Sequence, residues 1–200
     1  PLTYKSFRAL IARTIGALNE LGIGRNDRVA IVLPNGPVKA TSFVAIASGA
    51  TAAPLNPAYR VDEFDFYMTD INAKALVVEA GSKSPAIEAA EKRGIRILTL
   101  QYDAASAGAF TITGPSDGSR PAAGGPAEAG DIALILHTSG TTSRPKIVPL
   151  SHQNVAASAV NVATSVALTN TDRALNIMPL FHIHGLIAGV LAPLSKGGAI

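Results

Sequence analysis

Arg28-Val-Ala-Ile-Val-Leu33, then Pro34-Asn-Gly-Pro37, then Val38-Lys-Ala-Thr-Ser-Phe-Val-Ala-Ile-Ala-Ser48: this stretch decides the fold class. The first run is short, apolar and β-branched, which reads as a buried strand. Pro and Gly punctuate the turn, and a helix follows that closes at Gly49. Thr51 to Leu55 is a second strand, stopped by Asn56-Pro57. Upstream, Phe7, Leu10, Ile11, Ile15, Leu18 and Leu21 recur at helical spacing, so an amphipathic helix is predicted from about Thr3 to Leu21, ended by Gly22 and Gly24. Downstream, Asp62 to Asp70 reads as a helix, Ala75 to Glu79 as a strand, Pro85 to Arg93 as a helix and Arg96 to Leu100 as a strand. Strands alternating with helices predict an α/β fold, a mostly parallel sheet flanked by helices on both faces.

The composition agrees. The chain has 200 residues, 48% hydrophobic and 16% charged, enough to bury one substantial core. Without cysteine, disulfides, thiolate catalysis and Cys-based zinc sites are excluded within this stretch. The net charge of +3 is carried by scattered basic residues, which leaves no nucleic-acid footprint. No apolar run has the length of a membrane span. Residue 1 is Pro, no signal peptide opens the chain, and Ala199-Ile200 looks like the first step of a strand. A piece of a longer chain is therefore expected, with catalytic parts beyond Ile200.

Asp103 to Gly130 breaks the pattern. Twenty of its 28 residues are Ala, Gly, Pro or Ser, without sustained periodicity, and the expectation is an internal surface linker over residues 103–130. After it, Ile132-Ala-Leu-Ile-Leu136 is a compact strand. It delivers His137-Thr-Ser-Gly-Thr-Thr-Ser-Arg-Pro-Lys146 and a second extended run, Ile147-Val-Pro-Leu150. Ser151 then reads as the N-cap of a helix running from His152 to about Leu168.

A loop of this make-up suits a polyphosphate. Gly140 lets successive N–H groups turn inward, Thr138, Ser139, Thr141, Thr142 and Ser143 add hydroxyl donors, and Lys146 supplies a mobile point charge, with Arg144 as a second. It is not the P-loop of the common NTPases. Pro145 stands before the Lys where Gly belongs, Ile147 follows it where Ser or Thr belongs, and a strand rather than a helix comes next. The competing reading of the same residues is a solvated Ser/Thr/Gly turn.

Thr138-Ser-Gly-Thr-Thr-Ser-Arg-Pro-Lys146 resembles the signature loop of the adenylate-forming enzymes, the group of acyl-CoA synthetases, luciferases and peptide-synthetase adenylation domains. Leu150-Ser-His-Gln-Asn154 and Met178-Pro-Leu-Phe-His-Ile-His-Gly185 match as well, in the right order, and the helix near Thr3 and Pro54-Leu-Asn-Pro57 also fit. Ser143 and Ile147 depart from the Gly usual at those places. The resemblance implies the N-terminal portion of the large domain of such an enzyme. The domain plan is then a partial AMP-binding domain over residues 1–200, with the C-terminal domain absent.

What the resemblance implies chemically is an AMP-forming acid–thiol ligase. ATP and a carboxylate give an acyl-adenylate and pyrophosphate, and coenzyme A then takes the acyl group. Thr138, Ser139, Gly140, Thr141, Thr142 and Lys146 would cradle the phosphates, Mg²⁺ would accompany ATP, and His182 would contact the carboxylic acid substrate. No residue is assigned a catalytic role or as a metal ligand. His182 and His184 lack a nearby Cys, Asp or Glu to complete a metal site, so His184 is assigned to packing. His137 and His152 are read as structural, and Met178, Leu180 and Phe181 as core.

Ser143 together with Val148-Pro-Leu-Ser-His152 looks most like the oxalate–CoA ligases, whose substrate is a very small dicarboxylate. The alternatives are a CoA ligase for medium-chain fatty or 4-coumarate-type acids, an adenylation domain that loads a carrier protein, and a non-catalytic nucleotide-binding module. The family's adenosine-binding motif, hinge and C-terminal lysine have no counterpart before Ile200, so residues 1–200 alone are expected to be inactive. A cytoplasmic placement is expected, or a peroxisomal one if a C-terminal signal follows.

Overall fold

The structure is a computed structural model that describes residues 2–138 and 145–200. Helix α1 (Tyr4–Glu20) begins where the Thr3 hydroxyl accepts the Ser6 N–H at 3.1 Å, and it buries Leu10, Ile15 and Leu18. Its end is set by Gly22, whose φ of +74° is a left-handed conformation that only Gly adopts without strain, while the Ile23 N–H reaches back to the Leu18 carbonyl at 2.8 Å. Then come β1 (Arg28–Val32), α2 (Pro37–Ala47), β2 (Thr51–Pro54), α3 (Val61–Asp70), β3 (Ala75–Glu79), α4 (Pro85–Lys92) and β4 (Arg96–Tyr102). The predicted alternation is present throughout, with boundaries shifted by a residue or two. Pro at the first turn of α2 and α4 suits positions whose N–H has no helical partner, and Ser84 caps α4.

One seven-stranded sheet holds these strands, with β5 (Phe110–Thr113), β6 (Ile132–Thr138) and β7 (Lys146–Ser151), in the order β5-β4-β3-β1-β2-β6-β7. The five central strands are parallel, and β5 and β7 run antiparallel at the edges. Buried on both faces, the central strands divide their side chains between two cores. Val29 and Ile31 of β1 join α1 and α2 on one face; Ala30 and Val32 join α3 and α4 on the other. Each fully buried Leu, Ile or Phe here contributes about 1.5–3 kcal/mol of hydrophobic stabilisation. A register shift between Ile132 and Leu134 puts Ala133 and Leu134 into the same core, as a bulge does.

The expected linker over 103–130 needs correction. It contains β5, which pairs with β4 from Thr99↔Thr113 to Tyr102↔Phe110 and buries Phe110 and Ile112 while exposing Thr111 and Thr113. Four residues of alternation inside an Ala/Gly/Ser-rich stretch give too short a signal to read. Gly108 meets α2, its carbonyl accepting the Thr41 hydroxyl at 2.6 Å, and the stretch after β5 is docked on the α1–β1 corner. The Arg25 N–H donates to the Ala123 carbonyl at 2.8 Å, and the Gly125 N–H donates to Asn19 Oδ1 at 2.7 Å. Approach is so close at Gly24 that a Cβ there would lie 2.1 Å from the Ala123 carbonyl oxygen. Arg25 also forms ion pairs with Glu128 and Asp131, both at 2.6 Å.

Beyond β7, α5 (His152–Ser165) packs Val155, Ala159 and Ala163 inward. A segment without regular structure then leads to α6 (Ile183–Leu186), a π-helical turn (Ile187–Leu191) and α7 (Ala192–Ser195). An isolated parallel bridge joins Arg173 to Ala199, in line with an extended Ala199-Ile200.

Candidate functional site

Strands β6 and β7 form an antiparallel ladder that pairs Thr138, the last residue of β6, with Lys146, the first of β7. The two ends of the hydroxyl-rich loop are thereby held about 4.5–5.5 Å apart, Cα to Cα. Because β6 is parallel to β2, the loop leaves the sheet at the carboxyl edge of the parallel strands, the edge at which the β1–α2 connection also emerges. Open α/β sheets bind ligands at that edge, where successive connections pass to opposite faces. Here β1 leads to α2 on one face and β2 to α3 on the other. Thr138 and Lys146 are both exposed, and no carboxylate among the described residues pairs with Lys146. Ser139, Gly140, Thr141 and Thr142 lie outside the described residues, as do Ser143 and Arg144.

The base of this loop is anchored from the opposite face. Nε2 of His137 lies 2.9 Å from Oδ2 of Asp70, and the imidazole meets Tyr67 edge to face with centroids 4.6 Å apart. Tyr67 stacks on Tyr59 at 4.7 Å, and burial pushes the Tyr59 phenol well above its ordinary pKa. On the other side, the Ser151 hydroxyl accepts the Asn154 N–H, and Asn154 Oδ1 in turn accepts the Ser151 N–H, a reciprocal cap that starts α5. His152 Nε2 lies 2.9 Å from the Ala47 carbonyl. Asp70 and Tyr67 are outside the loop's sequence neighbourhood, and no local pattern flags them.

His182 is the N-cap of α6; its Nδ1 accepts the His184 N–H at 3.3 Å and the side chain is exposed. His184 is exposed too, which corrects its assignment to packing: on so short a helix its ring projects away from the face buried by Leu186. Leu180 is buried and its N–H donates to Asn35 Oδ1 at 3.1 Å, tying this segment to the β1–α2 loop. Met178 is half-buried and, with Leu180, Phe7, Asn35, Leu175 and Ile200, lines a largely apolar cleft of about 520 Å³, so it is a cleft residue as much as a core one. Leu175 and Ile177 are 88% and 80% exposed beside it. Neither Lys146 nor His182 lines that cleft.

Lys39 escaped the sequence reading. It lies on the inward face of α2 with Ser42, Phe43 and Ile46 and is only 1% exposed, and burial without a counter-ion pulls its pKa down to about 8. A lysine in register with apolar residues of a helix face is the signal that would have marked it. Among the described residues no three His, Cys, Asp or Glu side chains are grouped to hold a metal ion, and no helix is long and apolar enough to cross a membrane.

Comparison with known proteins places this geometry. The oxalate–CoA ligase of Arabidopsis thaliana is 40% identical over 202 residues, covering all of this chain and 39% of that protein. The oxalate–CoA ligase of Saccharomyces cerevisiae is 37% identical, covering 88% of this chain and 37% of its own length. This chain thus spans under two fifths of the length of either. The crystal structure of ATP-bound MatB from Rhodopseudomonas palustris superposes with a TM-score of 0.77 at 28% identity, over 98% of this chain and 39% of that one. Its agreement with the layered sheet described above marks this as the N-terminal domain fold of adenylate-forming enzymes. The AMP-binding enzyme family matches across residues 1–200, and the chain belongs to that family.

Proposed function

We propose that this chain is the nucleotide- and acid-gripping part of an AMP-forming acid–CoA ligase whose substrate is oxalate or another short dicarboxylate. The observation that carries the reading is the pairing of Thr138 with Lys146 across the β6–β7 ladder, which brings a hydroxyl and an ammonium together at the carboxyl edge of the sheet. The 40% identity to an oxalate–CoA ligase supports the choice of acid.

In the reaction a carboxylate oxygen of the acid attacks the α-phosphorus of ATP, and the bond to the bridging oxygen breaks to release pyrophosphate. The sulfur of coenzyme A then attacks the acyl carbon, AMP leaves, and the thiol proton passes to solvent. Charge builds on the β- and γ-phosphate oxygens during the first step. A donor set fixed before the reaction stabilises that charge without reorganising, which is the main contribution a protein makes to phosphoryl and nucleotidyl transfer. Thr138, Ser139, Gly140, Thr141, Thr142 and Lys146 would supply it. Hydroxyls, amides and an ammonium suit phosphate oxygens rather than a bare cation, so Mg²⁺ would arrive with ATP and be held mainly by its oxygens.

A dicarboxylate presents a second problem. One carboxylate reacts, while the other stays ionised and needs a partner, because an unpaired buried charge is costly. His182 would be that partner, as a hydrogen-bond donor or as imidazolium. A second reading, a ligase for an aromatic or fatty acid, is favoured by the apolar cleft beside Met178 and Leu180, since such an acid needs a greasy wall and no second cation.

The two readings separate in one experiment: thioester formation by the full-length protein with oxalate, malonate, octanoate and 4-coumarate, repeated with His182→Ala. Oxalate turnover that drops in the variant supports the proposal. Turnover of octanoate or coumarate with none of oxalate favours the second reading. Residues 1–200 alone should show no carboxylate-dependent pyrophosphate exchange.

A further inference from the structure

Lys39 is among the largest fully buried side chains, and its Nζ has no hydrogen-bond acceptor among the described residues. What lies over it is the ring of Phe181, with the centroid 5.2 Å from Nζ. A sealed ammonium of this kind is costly, and the face of an aromatic ring is the one neutral hydrocarbon surface that attracts it.

The position of Lys39 explains where that attraction acts. It is the third residue of α2, and helical side chains lean back toward the helix N-terminus. At that end Asn35 Oδ1 already holds the Leu180 N–H at 3.1 Å. Two adjacent contacts therefore tie Leu180 and Phe181 to the start of α2, and the next residue is His182, the N-cap of α6.

We propose that Lys39 is a positioning residue for His182: its ammonium fixes the Phe181 ring, and the ring fixes the turn that presents the imidazole. The inference rests on the role given to His182 above. An aliphatic side chain at residue 39 would fill the same space with less desolvation. Its attraction to Phe181 would be non-directional, however, so the ring could settle in more than one orientation. The ammonium prefers the ring face and selects one.

The test uses the full-length protein and five variants: Lys39→Met, Lys39→Arg, Phe181→Leu, His182→Ala and the pair Lys39→Met with Phe181→Leu. Stability to urea is measured beside the KM and kcat of the adenylation step for the preferred acid. Lys39→Met should raise the KM for the acid about three- to tenfold, with little change in the KM for ATP, even though the variant is at least as stable as the parent. Lys39→Arg should restore most of the loss. In a Phe181→Leu background, Lys39→Met should add nothing further. A role in packing alone predicts the reverse, full activity in the more stable Met variant. If His182→Ala raises the KM and Lys39→Met does not, the role of Lys39 is overturned while that of His182 stands. If His182→Ala leaves the KM unchanged, the His182 assignment fails first and the Lys39 inference falls with it.

Discussion

His137 and Asp70, 67 residues apart in sequence, meet with Nε2 and Oδ2 2.9 Å from each other, and the contact pins the last turn of α3 to the end of β6 one residue before the candidate phosphate loop. The His137 side chain is well buried and Asp70 about one-third exposed.

Removing the carboxylate should therefore cost both stability and loop placement. Asp70→Ala is expected to destabilise the fold by about 0.5–1.5 kcal/mol, the range of a partly solvated hydrogen bond. Asp70→Asn, which keeps an acceptor oxygen, should recover about half of that. Urea unfolding of the two variants, beside the KM for ATP in the full-length protein, reads both effects. Unchanged stability in Asp70→Ala would mean that the Tyr67 packing alone holds His137.

Lys146 begins β7 with its side chain in solvent, so replacing it should leave the fold intact and damage one half-reaction. One charge-assisted contact to phosphate is worth about 1.5–3 kcal/mol. Lys146→Ala should thus slow adenylation roughly 10–150-fold if the contact is made chiefly in the transition state. Thioester formation from a pre-made acyl-adenylate should be much less affected. Equal damage to both steps would remove the phosphate role.

Lys39 also gives a pH signature. Its pKa is held down to about 8 from an ordinary 10.5, so between those values the unfolded chain binds more protons than the native one. The destabilising effect of the buried charge is thus fully present below pH 8 and is relieved as pH rises toward 10.5. Lys39→Met should be more stable than the parent by about 1–3 kcal/mol at pH 7, with the gap closing between pH 8 and 10.5. Paired denaturant titrations across that range decide it. A gap that stays constant with pH would show that Lys39 titrates alike in the native and unfolded chains, so that burial does not penalise its charge.

Arg25 acts at the acid end. Its guanidinium, the Glu128 N–H and the Asn26 amide hold the Asp131 carboxyl at about 2 from an ordinary 3.8. That contribution is present above pH 3.8 and is lost as pH falls to 2. Arg25→Ala should lower the urea midpoint at pH 7, and the difference from the parent should shrink between pH 4 and pH 2. It should also raise the proteolytic sensitivity of residues 119–130, which dock on this corner. A difference that persists at pH 2 would point to lost packing rather than lost charge.

Much of the site was legible because its signals are local. The loop from Thr138 to Lys146 announces itself by hydroxyls, a Gly and a Lys between two short apolar runs, and those runs are β6 and β7. Ser151 is followed three residues later by Asn154, and the cap forms as the sequence suggests. His184 was misplaced because a four-residue helix is too short for periodicity to say which way a ring faces. The strand at Phe110–Thr113 was hidden for a related reason. Its pairing partner is β4, and without that partner four residues of alternation carry almost no information.

By itself the sequence determined most of the strands and helices through α5, β5 excepted, since these follow from period, punctuation and capping within a few residues. It also determined the chemistry available at the β6–β7 loop. Only the tertiary structure decided the order β5-β4-β3-β1-β2-β6-β7, which puts β1 between β3 and β2, opens the carboxyl edge at that reversal, and brings Asp70 to His137 and Lys39 to Phe181. The reason is physical. Side-chain pattern records how each residue meets its own helix or strand, whereas the choice of neighbour depends on which faces are left to bury once all elements compete for the same core.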